Sequence, residues 1–261
     1  MEPIKNIITE INEDICDIEI DFYSKILAVG GSSGKIYLFQ NINGKTSKIF
    51  EIQAHFGPIF KLAWSHPNLG PVLSSCGFDK KVNLFRIKEY LFFEKIYQHE
   101  IHDNIIKALK FSTSKNNLLL ISGDLNGNIV SCDYSNINFF LKRTFSHCYG
   151  VNSIDFLDEN NFITCGNDNS IKIWNYFQKN GNILITNNFV FKDNIFTKDL
   201  SCKDNRHFVC CGWTGETGIV NYYILNNEEK WEVNTGWKRR SRAESFSIYF
   251  RYSLKVVAPI T

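Results

Sequence analysis

One recurring arrangement restricts this chain more than any other feature. Between His55 and Arg86 lie three short apolar runs, Ile59–Trp64, Val72–Cys76 and Lys81–Phe85. They are separated by Ser65–Pro71 and Gly77–Lys80, which are rich in Gly, Pro, Asn and Asp. Such residues supply the preset or positive φ angles that tight turns require. Runs of this length, with β-branched and aromatic residues, predict strands rather than helices. The stretch therefore predicts a small antiparallel sheet.

The sheet recurs. The β-branched residue opening each third strand is Ile36, Val82, Ile129, Ile171 and Ile219, at steps of 46, 47, 42 and 48 residues. The residue closing each first strand is Ile20, Trp64, Phe111, Phe156, Leu200 and Phe250, at steps of 44, 47, 45, 44 and 50. Two markers thus give a period in the mid-forties, near the WD-repeat length of roughly 40–45 residues. One such sheet cannot bury both faces alone, so neighbouring units must pack as the blades of a propeller. The spacing predicts blades over about 14–52, 55–97, 102–145, 147–185, 194–233 and 243–261, in one domain of residues 1–261. Weaker outer strands are expected at Thr46–Ile52, Leu91–Tyr97, Phe139–Phe145, Ile183–Ile185 and Glu229–Val233. The next third strand falls due near residue 264, past Thr261. The expected fold class is therefore all-β: an open six-bladed WD-repeat β-propeller with its last blade incomplete.

Within each unit the turn before the third strand carries Ser33, Asp79, Asn126, Asp168 or Glu216. Short polar side chains there bond nearby backbone and tolerate the left-handed region. Asp79, Asn126, Asp168 and the strand-ending Trp174 are expected to be structural. The other aromatics at that strand end are Phe39, Phe85 and Tyr222, with Cys132 in the third unit. His55, His102 and His147 each precede a first strand and are expected to bond within their own blade. The histidines do not fall at metal-ligand spacing. Asp79 and Asp168 sit one per unit in equivalent turns, unlike a catalytic pair facing one cleft. Gly30–Lys35 is one residue short of a phosphate-binding GxxxxGK loop and leads into a strand, not a helix. No catalytic residue, cofactor site or metal site is expected.

Charge and composition narrow the setting. The 261 residues contain 29 basic and 27 acidic side chains, a net charge of +2 that gives no general attraction to nucleic acid or anionic lipid. No apolar run reaches membrane-spanning length, and Met1–Lys5 lacks the start of a secretion signal. Four of the eight cysteines, Cys76, Cys165, Cys210 and Cys211, lie in apolar runs, and no CxxC occurs. That favours a reducing, cytoplasmic setting. Lys238–Arg240 with Arg242 forms the one basic cluster, read as a solvated loop or as a contact for an acidic segment or phosphate.

The stretch from Gly57 to Val82 resembles one family. Gly57–Pro58, Ala63–Trp64, His66–Pro67, Gly70, Ser75–Cys76, Asp79 and Lys81–Val82 are similar to the Sec-thirteen family. That family is the WD-repeat propeller subunit of the COPII outer coat and of the nuclear pore's Y-shaped scaffold. Asp21–Tyr23 with Leu27–Ala28, and Cys165–Trp174, carry the likeness into the first and fourth units. The resemblance implies a non-enzymatic scaffold in ER-to-Golgi transport, at the pore, or both. It implies an α-solenoid partner, the large COPII cage protein or a solenoid nucleoporin, that inserts a blade in trans. Neither nucleic acid nor direct membrane insertion is implied. Ile15, Ile18 and Ile20 on one side, and Ile248, Phe250, Val256 and Val257 on the other, are the expected docking positions. The alternatives are the related Seh-one-like nucleoporin propeller, or a closed WD-repeat adaptor binding peptides on its top face.

Overall fold

The computed structural model describes residues 11–42, 45–88, 92–114, 119–134, 140–179, 182–192, 195–215, 217–240, 247–251 and 253–257. Residues 1–10, Glu216, Arg242 and 258–261, which entered the expectations above, lie outside them. The expected first sheet is β1 (Ile15–Ile20), β2 (Ile26–Gly31), β3 (Lys35–Ile42) and β4 (Lys45–Gln53). The second is β5 (Ile59–Trp64), β6 (Val72–Gly77), β7 (Val82–Lys88) and β8 (Phe92–His99). The third is β9 (Ile106–Phe111), β10 (Leu119–Asp124), β11 (Asn128–Asp133) and β12 (Phe140–Phe145). The fourth is β13 (Val151–Phe156), β14 (Asn161–Gly166), β15 (Ser170–Lys179) and β16 (Asn182–Lys192). The fifth is β17 (Phe196–Asp204), β18 (His207–Thr214), β19 (Thr217–Leu225) and β20 (Trp231–Arg240). Five sheets have four strands each in meander order, and β21 (Ser247–Arg251) pairs with β22 (Ser253–Val257) in a sixth of two. Among the described residues the helical element is the single 3-10 turn Pro67–Leu69.

The chain divides into two compact units, residues 1–122 with 133–137 and residues 123–132 with 138–261, and the division passes through the third sheet. In the first unit, β1 packs beside β5 and β5 beside β9. Between the first two sheets, Ile26, Ala28, Ile36 and Leu38 meet Ile59, Leu62, Leu73, Phe85 and Ile87. Between the next two, Ala63, Val72, Cys76, Val82 and Leu84 meet Ile106, Leu109, Phe111 and Leu120. In the second unit, β13 packs beside β17 and β17 beside β21. Cys165, Ile171 and Ile173 there meet Leu200, Phe208, Cys210 and Tyr223. Each sheet thus spends its alternate residues on a neighbour, at about 1.5–3 kcal/mol for each large side chain buried.

Neighbouring inner strands share no ladder, so side chains satisfy the backbone groups between them. Asp17 on β1 accepts from Leu62 N–H at 2.7 Å and from Lys61 Nζ at 3.3 Å on β5. Asp155 on β13 accepts from Cys202 N–H at 2.8 Å on β17, and Asp199 accepts from Ser153 Oγ at 2.6 Å.

The register corrects three markers in the fifth unit. Leu27, Leu73, Phe162 and Phe208 are equivalent, pairing with Phe39, Phe85, Trp174 and Tyr223. Tyr223, not Tyr222, is therefore the fifth unit's strand-ending aromatic, and Val220 opposite Cys211 replaces Ile219. Cys202 opposite Phe208 likewise replaces Leu200. The cause is local. The pairing of β3, β7 and β15 with their outer strands shifts immediately before the aromatic, whereas in β19 it shifts at Val220/Asn221. The outer strand expected at Ile183–Ile185 is the far longer β16. Lys238–Arg240 belongs to β20, paired with Gly218–Ile219 and Thr217, rather than to a loop. Gly30–Lys35 is the β2–β3 turn, where Gly34 has φ +86 and a Cβ would strike the His55 carbonyl.

Candidate functional site

The blades differ in how they close the face turned toward the preceding blade. In the second, His55 Nδ1 lies 2.8 Å from Asp79 Oδ1 and Nε2 lies 2.7 Å from Ser75 Oγ. Asp79 also accepts from Phe56 N–H at 3.1 Å and Lys81 N–H at 3.2 Å. Burial pushes the Asp79 carboxyl up, but these donors outweigh it and hold it below the usual range. In the fourth, His147 Nδ1 lies 2.9 Å from Asp168 Oδ1 and Nε2 lies 2.7 Å from Thr164 Oγ1. Trp174 Nε1 donates to the same hydroxyl at 2.8 Å. Asp168 also accepts from Cys148 N–H and Ser170 N–H, at 3.1 and 3.2 Å. Its carboxyl is pushed up by burial and pulled lower still by these bonds. His147 is lowered as well: burial depresses its protonation against the pull of Asp168. In the third blade His102 Nε2 lies 2.7 Å from Ser122 Oγ, and Asn126 N–H donates to Asp124 at 2.9 Å. Each clamp ties an incoming loop to its sheet; none presents a nucleophile or an open ligand position.

The first blade abandons this clamp. His55, His102 and His147 each stand four residues before their inner strand, and Ile11 holds that place ahead of Ile15. Val29 takes the place of Ser75 and Thr164, and Ser33 that of Asp79 and Asp168. The result is an apolar cluster of Ile11, Val29, Tyr37 and Phe39, with Ile15 and Leu27 against it. Glu13 supplies a different anchor. It accepts from Ser33 Oγ at 2.7 Å, Tyr37 Oη at 2.6 Å, Ser32 Oγ at 3.3 Å and the Ser33 N–H. Burial raises the Glu13 carboxyl, and Tyr37 and the serines bring it below its ordinary value.

The expected docking positions can be placed on this frame. Ile18 pairs with Val29 and Ile20 with Leu27, so both lie on the face away from the second blade, while Asp17 and Glu19 point toward it. Ile18 is 38% exposed; Ile15 and Ile20 are half-buried. On the last sheet Ile248 pairs with Val256, Phe250 with Leu254, and Val257 with Ser247. That sheet packs against the fifth blade, where Val209, Cys211 and Val220 form an apolar cluster with Tyr222. Sequence reading missed Ile11, Val29 and Glu13. Their signal was positional: an isoleucine and a valine where sister units carry His and Ser or Thr.

Repeat length, meander sheets and the His–Asp clamps define a class: this is an all-β WD-repeat propeller protein. The pattern described as WD domain, G-beta repeat matches residues 139–175. One chain of the crystal structure of the mitotic checkpoint complex superposes with a TM-score of 0.73 at 13% identity, covering 94% of this chain and 72% of that one. At that identity the match concerns the fold alone.

Within the class the chain is similar to SEC13 proteins. It is 26% identical over 192 residues to the protein SEC13 homolog of Drosophila melanogaster, covering 66% of this chain and 54% of that protein. It is 25% identical over 187 residues to the protein transport protein sec13 of Emericella nidulans, covering 62% and 60%. It is 28% identical over 177 residues to the SEC13 homolog of Caenorhabditis briggsae, covering 64% and 58%. The matched region thus spans between 54% and 60% of the length of these relatives.

Proposed function

We propose that this chain is a non-catalytic scaffold subunit of a vesicle coat, a nuclear pore scaffold, or both. In this reading the whole chain acts as a single propeller domain, working in the cytoplasm, on the coat at the endoplasmic reticulum, or at the pore. An α-solenoid partner, a coat cage protein or a nucleoporin, lends strands that pack on the outward face of the first blade. One observation carries the reading. Where the second and fourth blades hold a His–Ser/Thr–Asp clamp, this face holds Ile11, Val29, Tyr37 and Phe39, with Ile18 exposed in front of them. Apolar side chains here replace an internal polar closure, and an exposed β-branched residue beside them suits a foreign apolar sheet. The names of the SEC13 relatives, which include protein transport, support the coat assignment. Ile248, Phe250, Val256 and Val257 on the last sheet are further proposed docking positions.

The test is affinity purification of the tagged chain from its own cells. The expected result is one predominantly helical solenoid protein in stoichiometric amount, lost when Ile18 is replaced by Asp. Recovery of an unrelated peptide ligand, or retention of the solenoid by the Ile18→Asp chain at undiminished yield, contradicts the proposal.

A further inference from the structure

Outer strands expose unpaired backbone groups, and soluble proteins blunt them with charge. Four of the five outer strands here follow that rule. β4 carries Lys45, Lys48 and Glu51; β8 carries Glu94 and Lys95; β12 carries Lys142 and Arg143; β20 carries Glu232, Lys238, Arg239 and Arg240. The fourth blade does not. β16 reads NILITNNFVFK, the longest strand among the described residues, with one charge at its final residue, Lys192.

Three structural facts make this edge accessible. β16 ends its sheet, in the order β13-β14-β15-β16. The β14–β15 ladder stops at Asn161 opposite Asn175, while β15 runs on with β16 to Lys179 opposite Asn182. The hairpin therefore overhangs its own sheet as two strands. Thr186 to Val190 are all exposed, and Phe177, Phe189 and Val190 stand 49%, 47% and 45% open. The irregularity at Asn188 kinks the edge but adds no charge to it.

We infer that the outer edge of β16 is a self-association site, pairing antiparallel with β16 of a second copy of this chain. The occupant follows from the strand itself. Two-fold antiparallel pairing sets a strand against its own sequence, and Asn182 to Phe191 offers no like charges to oppose. It also offers no charge to select a charged foreign segment. The 11 residues of β16 with Phe177 fall short of the roughly 20 residues a side of a standard stable interface. The dimer is accordingly weak and forms at high local concentration, as on a crowded assembly. It shares no residue with the Ile18 face and does not depend on the scaffold reading.

Sedimentation velocity of the full chain over a dilution series tests this. The expected result is a reversible monomer–dimer equilibrium, weakened at least tenfold by Val190→Glu and by Thr186→Lys and unchanged by Ile18→Asp. Val190 faces Lys172 across the ladder, so glutamate there gains a cross-strand partner and the sheet is retained. Hydrogen exchange of the unmodified chain gives a second readout, with residues 185–191 exchanging more slowly at high concentration. A monomer throughout the series, a dimer indifferent to both substitutions, or protection confined to β1 or β21–β22 overturns the inference.

Discussion

The first two blades have nearly the same strand plan and close their equivalent faces by opposite means. The second uses a buried imidazole held between Asp79 and Ser75. The first uses Ile11, Val29, Tyr37 and Phe39, and anchors the turn at Ser32–Ser33 with the Glu13 carboxylate. A directional polar clamp ties a loop to its own sheet and satisfies its polar groups internally. An apolar face is non-directional and gains from whatever covers it. The contrast teaches that the repeat's fold tolerates either closure; on the proposed reading, the apolar one is the face left for a foreign sheet.

The largest effect should come from cutting a clamp. Asp168→Ala leaves His147, the Cys148 N–H and the Ser170 N–H without their acceptor in a buried site, and should cost about 3–5 kcal/mol in denaturant unfolding. Exchanging the two closures comes next. Ser75→Val places the first blade's residue against His55 Nε2 and should cost about 2 kcal/mol; Val29→Ser puts an unpartnered hydroxyl in the apolar cluster and should cost about 1–3. If either exchange proves neutral, the two closures are not distinct.

Acid should act on the clamped blades and on one further imidazole. Asp79, Asp168 and Glu13 all titrate below their ordinary values, so their stabilisation is full above about pH 4 and is lost as pH falls beneath it. His99, at the end of β8, is buried with Nδ1 unpartnered; burial first, and His102 second, depress its protonation to about 4. Its neutral form is favoured in the fold, so stability should fall as pH drops from 6.5 toward 4, by up to about 3 kcal/mol. His99→Phe should remove its share of the slope of the urea-midpoint profile between pH 6.5 and 4, leaving the part that belongs to His147 and the part below pH 4. The smallest effect belongs to the surface: Lys35→Ala, breaking the exposed pair with Glu51, should leave the urea midpoint where it is.

Much of this architecture was legible because strand alternation and turn chemistry repeat. Ser74–Ser75–Cys76 and Ile163–Thr164–Cys165 announce their strands, and His55 and His147 mark the clamps by their distance from the next apolar run. What escaped was positional. Tyr222 and Tyr223 are both aromatic, and only the pairing of Phe208 with Tyr223, stacked at 4.4 Å, decides between them. Lys238–Arg240 reads as loop because charge is rare in strands, yet an outer strand tolerates it. Ile11 and Glu13 fell in a segment without period, where a residue's role comes from partners such as Ser33 and Tyr37, some twenty positions away.

The central claim is that the first blade's outward face receives another protein. Replacing Ile18 with photoreactive benzoylphenylalanine and irradiating the chain in its native complex tests it directly. The account predicts a crosslink to an extended segment of a second polypeptide whose remainder is helical. A crosslink confined to this chain's own residues 247–257 would show that the face is closed from within, and would contradict it.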